Sequence, residues 1–134
     1  MKYPETKEQM LVETVVYYAT DTSRRNTDLN DTCKYYPLHD NTEGCAIGRY
    51  LSEELAKKLD KDDLSGVSYK FNELPVELQK LDKYYLERIQ NLHDSPITWN
   101  SKGLTEFGIK RIKDIIEDFE LDENKLTQIQ KYIS

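Results

Sequence analysis

Apolar positions repeat at intervals of three and four through residues 6–19, where Leu11, Val15 and Tyr18 share one face. That period predicts a first helix. The stretch TDTSRRNTDLNDT breaks the pattern, because Asn, Asp, Ser and Thr compete for backbone hydrogen bonds and favour turns. Loops this long in small domains are often functional, and this one carries Arg24 and Arg25. Alternation then predicts two strands, 33–36 and 45–51, joined through PLHDNTEG as a hairpin. Cys33 and Tyr35 fall on one face, Lys34 and Tyr36 on the other, and Cys45, Ile47 and Arg49 share a face. Ala46 and Gly48 are small and leave room for something to approach the opposite face closely. Ser52 is placed to cap a short helix, SEELAKKL, with Leu51, Leu55 and Leu59 at four-residue spacing. In VSYKF, Val67, Tyr69 and Phe71 alternate as a third strand.

The second half reads as helix. Pro75 opens a long segment, PVELQKLDKYYLERIQNLH, in which Leu78, Leu81, Tyr85, Ile89 and Leu92 form one apolar line. The residue before Pro96 is biased out of helix, which ends the segment at DSP. ITWNSKG is a connector, and Thr105 caps TEFGIKRIKDIIEDFE, whose Ile109, Ile112, Ile116 and Phe119 face a core. Asp122 restarts a last helix with Leu126, Ile129 and Ile133 on one stripe. The predicted architecture is α+β: one domain over residues 1–134, with a small antiparallel sheet packed against two long C-terminal helices and an N-terminal helix.

Composition narrows the function classes. Ten tyrosines, three phenylalanines and a tryptophan are too many aromatics for a disordered chain. A net charge of −6 argues against a general nucleic-acid binder and against anionic membrane surfaces. The N-terminal residues hold no apolar run of signal-peptide length, and no stretch reaches membrane-spanning length. The expected location is therefore a cytosol, where Cys33 and Cys45 stay reduced.

The two cysteines flank a loop with His39, so metal, disulfide, catalytic thiol and plain packing all have to be weighed. Structural zinc wants four ligands in tight pairs. Here Cys33, His39 and Cys45 are evenly and widely spaced, and the fourth ligand would have to be Asp40 or His93. A catalytic thiol needs an adjacent base and an orienting group, and CAIG reads as a buried strand, where a thiol stays protonated. Both cysteines are assigned to packing, with no metal site. No glycine-rich phosphate loop is present, and DIIEDFELDEN reads as a solvated helix face. At the exit of the long helix, HDSPITW places His93, Asp94 and Trp99 together, where His93 complements the helix C-terminus.

The sharper pattern is aromatic and cationic. Lys80, Tyr84 and Arg88 recur every four residues beside the apolar line. A ring bracketed by cations suits a base with phosphates nearby. Arg24, Arg25, Arg49 and Arg111 are placed to converge on phosphate oxygens, and the competing reading is a snorkelling tyrosine among surface charges.

A cysteine–aromatic strand, GCAIGRYL, a helix ending in LHD, a tryptophan, and GLTEFG before an amphipathic helix resemble small phage and prophage proteins. Among these, the stretch from Cys33 to Phe119 resembles the Thoeris anti-defence sponge family, in the type first described. The resemblance implies a non-catalytic, homo-oligomeric phage protein in the host bacterial cytosol. It would sequester a cyclic nucleotide immune signal, of the cyclic ADP-ribose type or a cyclic oligonucleotide, without cleaving it and without a cofactor. It assigns Tyr84 to the adenine and Arg111 to a phosphate. With Arg24, Arg25, Arg49, Arg88 and Trp99, these are the expected ligand-binding residues. The alternative is a phage inhibitor or regulator that docks on a host protein through an acidic surface. A metal- or thiol-dependent hydrolase is the third class.

Overall fold

The computed structural model describes residues 2–28, 34–61 and 67–134, with Ser68 and Tyr69 described in their backbone only. Helix α1 spans Lys7–Thr20 and starts where Thr6 accepts a hydrogen bond from the Gln9 amide. It buries Met10, Leu11, Thr14, Val15 and Tyr18. Helix α2, Glu53–Asp60, is capped by Ser52 as expected, and Ala56 and Leu59 face inward. A short helix α3 covers Val67–Lys70, and α4 covers Val76–Gln79. Helix α5 runs Lys83–Asp94. Strands β1, Trp99–Asn100, and β2, Gly103–Leu104, pair antiparallel with Trp99 opposite Leu104 and Asn100 opposite Gly103. Helix α6, Glu106–Asp118, is capped by Thr105. Two 3₁₀ turns and helix α7, Gln130–Ile133, follow. The fold mixes helix and sheet, but the sheet is not where alternation placed it.

Three expectations change. Cys33 lies outside the described residues, while 34–36 and 45–51 are not strands: 45–47 turn into a 3₁₀ helix over Gly48–Tyr50. Cys45, Ala46 and Ile47 are all fully buried in succession, which a half-exposed strand cannot achieve. The two stretches meet through the Cys45 amide, which donates to the Lys34 carbonyl at 3.2 Å. Both glycines of GCAIG press on the Tyr35 backbone carbonyl, so the motif is a tight wrap around one peptide group.

VSYKF is helical through Lys70 and then continues as a 3₁₀ turn. Val67 and Lys70 are buried three residues apart on one face. The Lys70 ammonium donates to the Leu59 carbonyl at 3.0 Å near the end of α2 and lies 5.0 Å from the Tyr35 ring centroid. The long helix from Pro75 is two helices. Pro75 sits just before α4 rather than inside it, and Asp82 breaks the chain with φ 80 and caps α5 by accepting from the Tyr84 amide at 2.9 Å. Leu78, Leu81, Tyr85, Ile89 and Leu92 are nevertheless all buried, so the apolar line survives the break. The break places Lys80 on a different element from Tyr84 and Arg88, so the three do not form one helical stripe.

The final stripe also lands in the chain's own core. Leu126, Ile129 and Ile133 are 0%, 0% and 5% exposed. Each such burial is worth about 1.5–3 kcal/mol, enough to dock short elements that would fray in isolation. The stripe therefore supplies no apolar surface for a second copy. Among the described residues no helix is long and apolar enough to cross a membrane.

Candidate functional site

The most connected polar node is the junction of α5 with the 21–28 loop. His93, fully buried, accepts the Asn26 backbone N–H on Nε2 at 3.0 Å. Its proton therefore sits on Nδ1, 2.7 Å from Asp94 Oδ1. Asp94 also accepts from the Gln90 amide at 3.1 Å, and Gln90 in turn accepts the Ile47 N–H at 3.1 Å. Burial pushes the His93 imidazole below its ordinary pKa, and Asp94 partly opposes this. An Asp–His pair is the start of a general-base arrangement, but here Nε2 is already occupied by a backbone donor. The pair ties the α5 terminus to the 21–28 loop and the GCAIG wrap.

A pH dependence follows. A folded-state pKa below the unfolded one means that the unfolded chain binds the extra proton. Stability from this node is thus complete above the unfolded imidazole pKa of about 6.5 and is lost as pH falls below it. His93→Gln keeps an acceptor near Nε2, so its stability should vary less than the parent's between about pH 7 and 5. Urea midpoints across that range check this, and parallel curves for the two proteins would exclude His93 as the cause.

The expected ligand-binding residues separate into two groups and three further residues. Arg24 and Arg49 meet on Tyr17, their guanidinium carbons 4.7 and 3.9 Å from its ring centroid. Arg24 donates to the Tyr17 carbonyl at 3.0 Å. Arg49 donates to the Glu13 carbonyl at 3.2 Å and pairs with Glu43 at 3.3 Å, while its buried Nε has no hydrogen-bond partner among the described residues. The Tyr17 hydroxyl accepts the Glu43 N–H. Beside them Tyr50 donates to the Glu13 carboxylate at 2.6 Å. Burial first and that carboxylate second push the Tyr50 hydroxyl far above its usual pKa, so it remains a donor.

Arg25 and Trp99 form the second group, and both serve the end of α5. The Arg25 fork grips the His93 and Asp94 carbonyls, each at 2.9 Å, where a helix leaves acceptors unsatisfied. Trp99 is 5% exposed and donates to the Leu92 carbonyl at 2.9 Å. Its ring has no open face for a ligand.

The remaining three are Tyr84 and Arg88 on α5 and Arg111 on α6, and among the described residues no hydrogen bond, ion pair or ring contact joins Arg111 to the other two. Tyr84 is 67% exposed. Arg88, one turn on, pairs with Asp118 at 2.8 Å and lies 5.6 Å from the Phe119 ring centroid. Arg111 lies 5.0 Å from the ring of Phe107, itself 41% exposed. Among the described residues Arg111 has no carboxylate partner.

Comparison with family models, with curated proteins and with solved structures finds no match for this chain. The family resemblance thus rests on the sequence alone, and function has to be argued from the residues.

Cys45 is a buried free cysteine. His39 is exposed, accepting the Asn41 N–H on Nδ1 at 3.2 Å, with Nε2 3.3 Å from the Arg25 carbonyl. Among the described residues no three His, Cys, Asp or Glu side chains group to hold a metal ion. Among the open clefts of the described surface are four of about 320–560 Å³, that of about 560 Å³ lying between α6 and α7. None of the four is lined by Arg24, Arg25, Arg49, Tyr84, Arg88, Trp99 or Arg111.

Tyr17, Asn26 and Phe107 escaped the sequence reading. Tyr17 sits beside Tyr18 off the apolar face of α1, and that surplus aromatic was a usable signal. Phe107 precedes Arg111 by one turn, the same spacing that singled out Tyr84 and Arg88. Asn26 carried no signal, since asparagine in a polar loop reads as turn chemistry.

Proposed function

We propose that this chain is a non-catalytic binding protein that takes up a nucleotide-type ligand intact, using the exposed aromatic and cationic faces of α5 and α6. The observation that carries the reading is Phe107 with Arg111. An exposed ring and a cation without a carboxylate partner among the described residues lie one helical turn apart. A flat π-face suits a base, and an uncommitted guanidinium suits a phosphate. Tyr84 and Arg88 repeat the arrangement on α5, where the surface pair with Asp118 costs little to exchange for a phosphate. The engaged state of His93 supports binding rather than turnover. The sequence resemblance narrows the ligand to a cyclic nucleotide immune signal, and the role to its sequestration by a phage-encoded homo-oligomer.

Incubation with cyclic ADP-ribose-type molecules and cyclic oligonucleotides, removal of free ligand, and heat release should return the ligand unaltered. Altered ligand would mean an enzyme, and no uptake would end the nucleotide reading. Stacking and an arginine contact are each worth about 1–3 kcal/mol. Tyr84→Ala and Arg111→Ala should therefore each weaken binding roughly ten- to a hundredfold. Lys57→Ala, which removes an exposed ion pair with Glu53, should change little. Calorimetry on the three folded variants decides, and parental affinity in both site variants would rule these faces out.

A further inference from the structure

Both histidines of the chain meet one peptide unit. The Arg25–Asn26 peptide gives its N–H to His93 Nε2 at 3.0 Å, and its carbonyl oxygen lies 3.3 Å from His39 Nε2. The other ring nitrogens fix the two tautomers. His39 Nδ1 accepts the Asn41 N–H, so its Nε2 carries the proton and donates to the Arg25 carbonyl. His93 Nδ1 carries its proton toward Asp94, so its Nε2 accepts. The exposed ring is thus a donor to this peptide, and the buried ring an acceptor from it.

A second proton acts on the two rings in opposite ways, because both nitrogens of an imidazolium donate. His39 keeps its bond to the carbonyl. His93 turns an N–H against the N–H of Asn26, a donor–donor collision in a fully buried site. Two charged groups act on the His93 ring. Asp94 favours the imidazolium, and Arg25, clamped on the His93 and Asp94 carbonyls, opposes it. From α1, Tyr18 meets the ring edge-on at 4.8 Å between centroids, with its hydroxyl donated to the Gly44 carbonyl.

The loop is the part built to yield. Residues 21–28 include no apolar side chain, and Asn26 alone among them is buried. Asn26 also binds residues 34–38, but that segment keeps anchors of its own. The Asp60 carboxylate holds the Tyr35 and Tyr36 amides, and the Cys45 amide holds the Lys34 carbonyl. A segment with so few buried apolar contacts opens ahead of the core.

We propose that the Arg25–Asn26 peptide is an acid-operated latch, in which a second proton on His93 ejects the peptide and releases the 21–28 loop from the end of α5 while the helical core stays folded. The latch does not depend on nucleotide binding.

The test is residue-resolved NMR of the full chain with amide hydrogen exchange, between about pH 7 and 4.5. Below about pH 6.5, where a released imidazole gains its proton, protection of the Asn26 amide should fall by up to tenfold per pH unit. The Ile112 amide, in the buried face of α6, should stay more protected at every pH and keep its chemical shift. His93→Gln should remove the slope at Asn26. His39→Ala should lower Asn26 protection several-fold and leave the slope in place. Loss of the Ile112 signal in the same step as the Asn26 signal would mean that the chain unfolds as a whole, and would overturn the latch. A slope that survives in His93→Gln, or disappears in His39→Ala, would overturn it as well.

Discussion

Exchanging Asn26 for aspartate should cost about 4–5 kcal/mol at pH 7, more than the roughly 3 kcal/mol expected for truncation to alanine. Asn26 is fully buried. Its amide NH₂ donates to the Lys34 and Tyr36 carbonyls, and its carbonyl accepts the Leu38 N–H at 2.8 Å. Its own backbone N–H serves His93. Alanine leaves the Tyr36 carbonyl and the Leu38 N–H without these partners, each worth about 1–3 kcal/mol if it stays dry, and leaves the Lys34 carbonyl with the Cys45 amide alone. Aspartate keeps the Leu38 bond but turns a charged oxygen toward two carbonyl oxygens.

The pH dependence separates the two variants. Burial among acceptors raises the introduced carboxyl above its unfolded pKa of about 3.9. The folded state then binds the extra proton, so the aspartate deficit shrinks below about pH 4 and grows as pH rises through the folded-state value. The alanine deficit has no such slope. Against a typical total stability of about 5–15 kcal/mol, the aspartate variant should melt well below the parent. Thermal melts of both variants at two pH values provide the measurement, and an aspartate variant as stable as the alanine one would refute this account of the node.

Helix boundaries were legible because capping chemistry is local. Thr6, Ser52 and Thr105 each accept the amide three residues on, at 3.0, 3.2 and 3.1 Å, and each was readable as a hydroxyl ahead of a 3.6-residue period. The sheet was not legible. Its strands are two residues long, too short to show any alternation. VSYKF and CAIGRYL are short apolar runs, in which helix, turn and strand periods coincide. Asp82 breaks the long helix by capping its second half, and the apolar line across it gives no warning because Leu81 stays buried on both readings.

The site was harder to read than the fold. Arginine reaches far, so where its fork lands is a tertiary matter. Arg25 closes a helix end, Arg24 and Arg49 stack on a tyrosine, and Arg111 alone meets an exposed ring without a carboxylate partner among the described residues. What did transmit through the sequence was size. Ala46 and Gly48 suggested that something approaches closely, and Tyr35 does so.

That close approach makes Gly48→Ala the second large effect, a loss of about 3 kcal/mol or more. A Cβ on residue 48 would stand 2.3 Å from the Tyr35 carbonyl oxygen, 2.5 Å from its Cα and 2.7 Å from its carbonyl carbon. All three are backbone atoms, so no side-chain rotation relieves the overlap. Nor can the 34–36 segment step back. The Asp60 carboxylate holds the Tyr35 and Tyr36 amides at 2.8 and 3.0 Å, and the Asn26 side chain holds the Lys34 and Tyr36 carbonyls. Gly44 presses on the same Tyr35 oxygen from the other end of the motif, with φ +119. Relief must come from pulling 44–50 away, which would strain the Ile47–Gln90 bond and, through Asp94, the His93 node. Gly48→Ala should therefore steepen the acid-side loss of stability as well as lower the urea midpoint, whereas an overlap absorbed locally would lower the midpoint alone. A variant that matches the parent in both would show that the wrap around Tyr35 is not closed in solution.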